Sequence, residues 1–291
     1  MACGQHLSTS VGVLLAVAQD ASAPLVQAWA LHALALTAES GGPMFREFVQ
    51  PSLKLVLRLL LKASFTATDV HISLAKLLGA LITTLGPELQ SSVAPKSNAG
   101  LICLSCCSIL LEHPDPRVMA EGITNYQRLH MFAPHSVNLT QFAPHLYNCL
   151  LSKHLVLRRA AVACIRQMSQ KEANEFCEAI GAAATATPGA LVQKLETGPV
   201  PAAVAKPATS LPLEAILFSL LDVESHFRMR RDIEESLLSL LQSRGTLHLS
   251  GWIRILKQLL QASSRLLVLY IYLLSPVFRK PVTFKSLLLS H

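Results

Sequence analysis

The sequence predicts an all-α protein built from antiparallel helix pairs, and two observations lead to that prediction. One arrangement of residues recurs: an apolar residue, three others, a small or apolar residue, two others, and then two small or apolar residues. In addition, no segment alternates between apolar and polar residues with the period of two typical of a β-sheet. We call the recurring arrangement the repeat frame, and it occurs at Val26–Leu34, Val70–Leu78, Val118–Tyr126 and Leu157–Ile165.

The spacing of the repeat frame indicates how the helix pairs are arranged. The four copies start at residues 26, 70, 118 and 157, which gives steps of 44, 48 and 39 residues. HEAT and armadillo repeats have a period of roughly 40 to 47 residues. A further copy starts at Met229 and places Ile233, Ser236 and Leu237 in the frame. The sequence therefore predicts an α-solenoid of HEAT-type antiparallel helix pairs.

Local signals place the ends of the helices. We predict Asp69 as the N-cap of one helix and the pair Gly86-Pro87 as its end. The turn before the next second helix contains His113-Pro-Asp-Pro116, which puts a proline in the first helical turn, and Pro134 ends that helix. The four predicted pairs join residues 7–18 to 26–38, 48–62 to 69–85, 98–111 to 116–131, and 139–151 to 154–170.

Composition divides the chain into four parts. Residues 1–181 hold the four helix pairs. Residues 182–210 are rich in Ala, Thr, Pro and Gly and predict a flexible linker. Residues 211–263 predict further HEAT-type helices at 211–221, 225–242 and 249–260. Residues 264–291 form a divergent tail whose apolar run, Leu266–Leu274, is too short to cross a membrane and leaves open either a weak membrane or partner contact or no role.

Composition also bears on the partners and the compartment. Hydrophobic residues make up 51% of the 291 residues and charged residues only 15%, which argues against disorder and indicates a piece of a larger protein. The net charge is +7, but the basic residues are dispersed, so we expect no nucleic-acid binding. The amino terminus lacks the features of a signal peptide, which predicts a cytoplasmic protein. Seven cysteines, mostly in apolar helical stretches, agree with a reducing compartment: Cys3, Cys103, Cys106, Cys107, Cys149, Cys164 and Cys177.

Candidate chemical sites are weak. Cys103, Cys106 and Cys107 lie near His113, but a zinc site of this kind needs a second ligand pair, and none follows at suitable spacing. The chain contains no nucleophile elbow, Walker loop or Gly-x-Gly-x-x-Gly segment. We therefore predict no catalytic, metal-binding or cofactor-binding residues, and the binding residues stay unknown. Asn138 begins a glycosylation acceptor that we expect to be idle, and Thr187, before a proline, is a candidate phosphorylation site.

Two groups of arginines allow a structural or a functional interpretation. Arg158, Arg159 and Arg166 are predicted to cap or pair within the repeats, and the alternative is a basic ridge that grips an acidic peptide. The segment Arg228–Glu235 is interpreted as a solvated face with local ion pairs, each contributing about 0.2–0.5 kcal/mol.

Four segments carry a resemblance to a known family. His6–Gly12, Gly86–Gln90, Leu129–Pro134 and Leu157–Cys164 together resemble the HEAT repeat-containing protein 5 family, and the likeness covers about residues 6–263. Members of this family are large cytosolic α-solenoids and accessory factors of the clathrin adaptor AP-1, with aftiphilin and gamma-synergin as companions. They are much longer than this chain, and the tail from about Arg265 departs from them, which indicates a truncated or alternatively spliced product.

The resemblance implies a function. We expect a non-enzymatic scaffold without cofactors in AP-1-linked vesicle traffic between endosomes and the trans-Golgi network, including endocytosis, retrograde transport and protein localisation. The expected partners are proteins, among them aftiphilin and gamma-synergin. We expect no transmembrane span, with peripheral membrane association left open. The alternative is a solenoid transport receptor that binds charged cargo in the manner of nuclear transport.

Overall fold

The computed structural model describes residues 2–90, 98–186 and 211–262, and these residues form twelve α-helices and no β-strand. The predicted all-α class is confirmed. Short 3₁₀ turns occupy Gly42–Phe45, Gly86–Gln90 and Pro134–Ser136. The helices are α1 (Ala2–Gln19), α2 (Pro24–Gly41), α3 (Arg46–Lys62), α4 (Thr68–Leu85), α5 (Ala99–Leu111), α6 (Pro116–Phe132), α7 (Leu139–Leu150), α8 (Leu155–Lys171), α9 (Ala173–Ala186), α10 (Pro212–Val223), α11 (Phe227–Arg244) and α12 (Leu249–Ala262).

Three local predictions need correction. The helix α9 was not predicted, and it includes residues 182–186, which were assigned to the linker. The alanines that were interpreted as linker composition are also the best helix formers, and no proline interrupts them before Pro188. Asp69 is not an N-cap, because α4 begins at Thr68 and Ala67 occupies the cap position. The remainder of the predicted linker and the tail, with Thr187, lie outside the described residues.

Other predicted ends agree with the structure. Gly86 follows the last residue of α4 with a φ of 48°, a left-handed conformation that glycine adopts without steric penalty. Pro116 is the first residue of α6, where its missing N–H is not needed. Asp115 precedes it as the N-cap and accepts a hydrogen bond from the backbone N–H of Arg117 at 2.8 Å.

The chain divides into two compact units, residues 1–164 and 165–291, and the boundary falls within α8. In the first unit, α1 packs on α2, α3 on α4 and α5 on α6, so consecutive helices form pairs. The second helices of these pairs also contact one another, α2 with α4 and α4 with α6, and the first helices α3 and α5 do the same. The helix α4 therefore has neighbours on several sides, and twelve of its residues are buried.

The repeat frame marks the buried face of the second helices. Its apolar positions are buried in α4, α6, α8 and α11, including Val70, Val118, Leu157 and Met229 at the first position. In α2 the frame is less complete, because Val26 is 54% exposed while Ala30 and Leu34 are buried. The frame thus predicts the packed face of these helices, except in α2, where Val26 is exposed and Ala33 is half-buried.

The second position of the repeat frame joins the two helices of a pair. Gln27 donates a hydrogen bond from Nε2 to the carbonyl of Ala18, in the last turn of α1, at 2.9 Å. Arg158 donates from Nη1 to the carbonyls of Ser152 and Lys153, which follow α7, at 3.0 and 2.9 Å. The last carbonyls of a helix have no partner within it and carry partial negative charge, so Gln27 satisfies and stabilises one of them. Arg158 satisfies two carbonyls of the turn between α7 and α8.

The second unit repeats this device. Arg230 occupies the same frame position in α11 and donates from Nη1 to the carbonyls of Leu221 and Glu224, at the end of α10. The helices α9, α10 and α11 contact one another, and the rings of Phe218 and Trp252 meet edge to face, with centroids 6.1 Å apart, to attach α12 to α10. The predicted helices at 211–221, 225–242 and 249–260 are all present.

A close approach between α4 and α6 depends on Gly79. Asn125 of α6 is fully buried and donates from Nδ2 to the carbonyl of Ala75 in α4 at 2.8 Å. The Nη1 group of Arg128 in turn donates to Oδ1 of Asn125 at 3.3 Å. A Cβ atom at position 79 would overlap the Arg128 guanidinium and lie 2.6 Å from Oδ1 of Asn125. Only glycine leaves room for this polar contact.

We predict that Leu157→Asp destabilises the first unit by about 3 kcal/mol or more, since Leu157 is fully buried and the new carboxylate would lack a partner. Urea unfolding followed by circular dichroism measures the change. The control is Val156→Asp, because Val156 is the preceding residue of α8 but is 41% exposed, and its replacement should change stability little. Equal effects of the two variants would show that the frame register is wrong.

We predict that Gly79→Ala lowers the free energy of unfolding by about 1–3 kcal/mol, the usual range for overpacking a core. The matched control is Gly12→Ala in α1, where an added Cβ meets no atom within 4 Å. That control should gain about 0.5–1 kcal/mol from alanine's higher helix propensity. A stabilising Gly79→Ala would contradict the close approach of α4 and α6.

Candidate functional site

The cysteine segment weighed as a metal site is part of the core. Cys103, Cys106 and Cys107 lie on α5, and all three side chains are fully buried. Burial raises the pKa of the Cys103 and Cys106 thiols to about 12 and that of Cys107 well above its usual value. A thiol with such a pKa stays protonated near neutral pH, whereas the thiolate is the nucleophile and the metal ligand. These cysteines act as small apolar side chains.

His113 lies with other aromatic residues rather than with the cysteines. We define the histidine cluster as Phe65, His71 and His113, which come from the α3–α4 turn, from α4 and from the α5–α6 turn. The ring centroids of the two histidines are 4.6 Å apart, and the Phe65 ring stands 5.4 Å from that of His113. Both histidines are buried, so the cluster joins the turns of two successive helix pairs.

A hydrogen bond fixes the protonation state of the His113 ring. Its Nδ1 atom accepts the backbone N–H of Asp115 at 3.0 Å, which requires a lone pair on Nδ1. The imidazole is therefore neutral and carries its proton on Nε2, a buried atom without a hydrogen-bond partner. Burial and the neighbouring His71 lower the pKa of His113, and the opposing influence of Asp115 is smaller. A ring in this state has no free nitrogen to offer a metal ion.

Metal ligands do not gather elsewhere in the described ranges. Among residues 2–90, 98–186 and 211–262, no three His, Cys, Asp or Glu side chains lie close enough together to hold a metal ion. Asn138, the first residue of the glycosylation acceptor, has a structural task instead. Its Oδ1 atom accepts the backbone N–H of Gln141 at 3.2 Å, so it is the N-cap of α7.

The second unit contains a buried polar cluster that the sequence did not reveal. Glu214 of α10 is almost fully buried, its Oε1 atom has no hydrogen-bond partner, and burial raises the pKa of its carboxyl. Arg244 at the end of α11 lowers that pKa in part, and its Nη2 group lies 3.1 Å from Nε2 of His248. The pKa of the Cys177 thiol beside them rises to about 12, chiefly through burial. The cluster is a core feature without an activated nucleophile.

The arginines weighed as a basic ridge act mostly within the fold. Arg158 is buried on the carbonyls described above. Arg166 forms ion pairs with two residues of α11, with Nη1 2.8 Å from Oε2 of Glu235 and Nε 3.4 Å from Oδ1 of Asp232. Arg159 is exposed. For Arg158 and Arg166 the structure agrees with the structural interpretation.

The segment 228–235 is only partly a solvated face with local ion pairs. Arg231 and Glu235 form the expected local pair at 2.9 Å. Arg230 instead holds the carbonyls at the end of α10, and Asp232 reaches Arg166 of α8. Three of these side chains therefore connect α11 to other helices, which a pattern of local charges does not predict.

Several exposed apolar side chains lie together on α2. Leu25, Trp29 and Leu36 are 66%, 66% and 53% exposed, and we call their surface the α2 edge. An α-helix has 3.6 residues per turn, so residues four and eleven positions apart lie along the same side of it. Val26 lies at the margin of this stripe, and the His32 ring contacts that of Trp29 at a centroid distance of 6.2 Å. Clustered exposed apolar residues mark interaction surfaces.

Sequence reasoning missed the α2 edge, although the signal was present. The repeat frame treated Val26 as a buried position and gave no role to Trp29 or Leu36. A helical projection of residues 24–41 places Leu25, Trp29 and Leu36 together on a side without Lys or Arg. Such a stripe beside the frame residues predicts a second apolar face.

Only one described helix is long and apolar enough to cross a membrane. It comprises residues Thr68–Gln90, and 72% of its most apolar window is buried within the protein. A buried core helix passes the same test of length and composition.

Comparison with known proteins gives a distant relative and a similar fold. No protein-family model matches the chain. A stretch of 144 residues is 31% identical to Protein SWEETIE of Arabidopsis thaliana, covering 50% of this chain and 6% of that protein. The crystal structure of an engineered protein from the Northeast Structural Genomics Consortium matches with a TM-score of 0.55 and 14% identity, over 88% of this chain and 90% of its own. At that identity the match shows the helical fold alone.

We predict that stability falls as the pH drops below about 6.5, the ordinary pKa of histidine, because His113 keeps a lowered pKa when folded. At such a pH the histidine of the unfolded chain binds a proton, whereas His113 of the folded chain stays neutral. The stabilisation is complete above that pH and is lost progressively as the pH approaches the folded pKa. Urea unfolding between pH 5 and pH 8 (roughly the range in which histidine titrates) measures the slope.

The matched variant for this prediction is His113→Asn, whose Oδ1 can accept the Asp115 N–H but does not titrate. Its stability should depend less on pH than that of the wild-type chain. If both chains showed the same slope, another group would be responsible.

Proposed function

We propose that this chain is part of a non-enzymatic α-solenoid scaffold of HEAT-type helix pairs that serves clathrin AP-1-linked vesicle traffic between endosomes and the trans-Golgi network. The observation that carries the proposal is the recurrence of the repeat frame on the buried faces of α4, α6, α8 and α11. In a solenoid each unit buries its apolar face only against its neighbours, and the repetition builds an extended binding surface.

The contacts of the second helices support the solenoid part of the proposal. The helices α2, α4 and α6 contact one another in sequence order, and each packs against the first helix of its own pair. Polar residues at the second frame position attach the two helices at their turn, as Gln27 and Arg158 do. This is the organisation expected of stacked pairs.

The chemistry of the described side chains suits a scaffold. The buried cysteines are protonated, and Arg158 and Arg166 are engaged inside the fold. The solvent-exposed surface of the first unit includes the α2 edge, an apolar surface of the kind that proteins use for docking.

The traffic role rests on the resemblance to the HEAT repeat-containing protein 5 family. In that role the partners are AP-1 accessory proteins, with aftiphilin and gamma-synergin foremost, and the chain is cytoplasmic and peripheral to endosomes and the trans-Golgi network. The chain spans 6% of the length of the plant relative, so the activity of any longer protein is carried over as part of the proposal.

Co-purification from cells, quantified by mass spectrometry, tests the function. We expect the tagged chain to enrich AP-1 subunits, aftiphilin or gamma-synergin. The matched controls are Leu157→Asp, which disrupts the packed frame, and Val156→Asp on the same helix, which does not. Enrichment should be lost in the first variant and kept in the second.

Two outcomes would contradict the proposal. A wild-type chain with full helical circular dichroism that enriches none of these proteins would exclude the traffic role for this segment. Enrichment of cargo of nuclear transport receptors in their place would favour the alternative of a solenoid receptor for charged cargo.

A further inference from the structure

We propose that the histidine cluster is a pH-sensitive contact between two successive helix pairs. The contact is closed while both histidine rings are neutral, and it opens at the α3–α4 turn when His71 takes up a proton from water at Nε2. Two hydrogen bonds impose complementary tautomers on His71 and His113, and both rings are buried.

The tautomer of His71 follows from its hydrogen bond. Its Nδ1 atom lies 3.0 Å from the carbonyl oxygen of Ala67, which can only accept, so Nδ1 carries the proton. In the neutral ring Nε2 is then an acceptor, and this atom is buried without a hydrogen-bond partner. His71 therefore holds a buried lone pair.

His113 has the opposite tautomer, with its proton on Nε2, since its Nδ1 atom accepts the N–H of Asp115. The Nε2–H group is a buried donor without a partner, in a ring whose centroid is 4.6 Å from that of His71. The neutral pair thus combines one donor with one acceptor. The two groups complement each other, either directly or through one water molecule.

A proton added to this pair goes to Nε2 of His71. That atom has no hydrogen-bond partner to lose, whereas a proton on Nδ1 of His113 would displace the N–H of Asp115. Once His71 is protonated, the pair holds two buried Nε2–H donors, no acceptor and a positive charge. Burial of an unpaired charge is unfavourable, so acid favours a form in which His71 meets water.

The charged groups around the cluster have partners of their own. Those on the adjoining helices and turns are Lys62, Asp69, Glu112, Asp115 and Arg117. Arg117 pairs with Asp115 at 3.3 Å and also interacts with Asp69. Glu112 lies 3.8 Å from Nε2 of His145. Asp115 raises the pKa of His113, but burial and His71 lower it more. Each of these acidic groups is thus near another basic group, and none is reserved for a protonated His71.

Phe65 covers the pair and lies on a short surface turn. Its ring stacks on that of His71 at a centroid distance of 6.2 Å, yet the residue is 58% exposed. Ser64 and Thr66 beside it are also exposed, and the backbone N–H of Ala67 donates to the Ser64 carbonyl at 2.9 Å. Displacement of this turn, residues 63–67, brings His71 into water while α4 stays folded.

The place of His71 in the repeat frame sets this turn apart. His71 occupies the second frame position of α4, as Gln27, Arg158 and Arg230 do in α2, α8 and α11. Gln and Arg side chains keep one protonation state near neutral pH, whereas histidine changes its charge between about pH 5 and pH 8. In α4 the residue that holds a turn carbonyl is therefore one that responds to protons.

Nitrogen-15 NMR of the imidazole rings in the full chain tests the neutral state. At neutral pH we expect the Nδ1–H tautomer for His71 and the Nε2–H tautomer for His113. The variants His71→Phe and His113→Asn assign the two sets of signals by their loss. An Nε2–H tautomer of His71 would overturn the inference, because the neutral pair would then contain two donors.

Hydrogen exchange of the full chain between about pH 5 and pH 8 tests the opening. After correction for intrinsic exchange rates, the protection of the Ala67 amide should fall by up to about tenfold for each pH unit below roughly 6.5. That dependence is expected when one proton binds only to the open form. The Leu78 amide, in the middle of α4, should stay more strongly protected at every pH.

Substitutions identify the residue that takes up the proton. His71→Phe keeps an aromatic ring beside Phe65 but does not titrate, so the Ala67 amide should lose its response to acid. The matched control is His135→Phe, since His135 is exposed in the turn after α6, and this variant should keep the response. Phe65→Ala removes the cover and should lower the protection of Ala67 at every pH while the response to acid remains.

Several results would overturn the inference. A response to acid that persists in His71→Phe and is lost in His113→Asn would assign the proton to His113. Equal loss of protection at Ala67 and Leu78 would show global unfolding instead of a local opening. If circular dichroism showed His71→Phe to be unfolded, the tautomer of His71 and the Phe65→Ala variant would decide, and unchanged protection of Ala67 in Phe65→Ala would contradict the role of the turn.

Discussion

The close approach of α4 and α6 is the contact on which the packing of the first unit depends. Asn125 is fully buried and reaches a backbone carbonyl of α4, and it does so only because Gly79 has no side chain in its path. A buried amide destabilises a fold unless its donor and acceptor are both used. Here Ala75 accepts from the amide and Arg128 donates to it. The contact thus sets the distance and register at which the apolar frame residues of the two helices meet.

Much of the helical fold follows from local signals in the sequence. Eleven of the twelve described helices were predicted, since prolines, glycines and the repeat frame all act within one or two turns of the chain. The exception is α9, whose alanine-rich sequence is compatible with either a linker or a helix. Its packing against α10 and α11 favours the helix. Asp69 was misassigned because a carboxylate near the start of a helix is a common cap, whereas Ala67 occupies the cap position and forms no side-chain hydrogen bond with the helix.

The surface features were harder to predict because they depend on neighbours distant in sequence. Val26 and Val70 occupy the same frame position, yet Val26 is exposed and Val70 is buried. The helix α4 packs against α2, α3, α5 and α6, whereas α2 packs mainly against α1 and α4. His71 and His113 are 42 residues apart, and their contact exists only once two turns are brought together. Sequence patterns define the faces of each helix, and tertiary packing decides which faces stay open.

The residue at the second frame position differs between helix pairs, and so do the polar contacts at their turns. Gln27, Arg158 and Arg230 each reach carbonyls at the end of the preceding helix or in the turn that follows it. Met119 has no donor for this task, and its sulfur instead lies 3.8 Å from Sγ of Cys149. In that pair the turn itself supplies the polar contact, because His113 accepts the N–H of Asp115. The α1–α2, α7–α8 and α10–α11 turns are thus closed by a polar residue at the second frame position, whereas the polar contact of the α5–α6 turn lies within the turn itself.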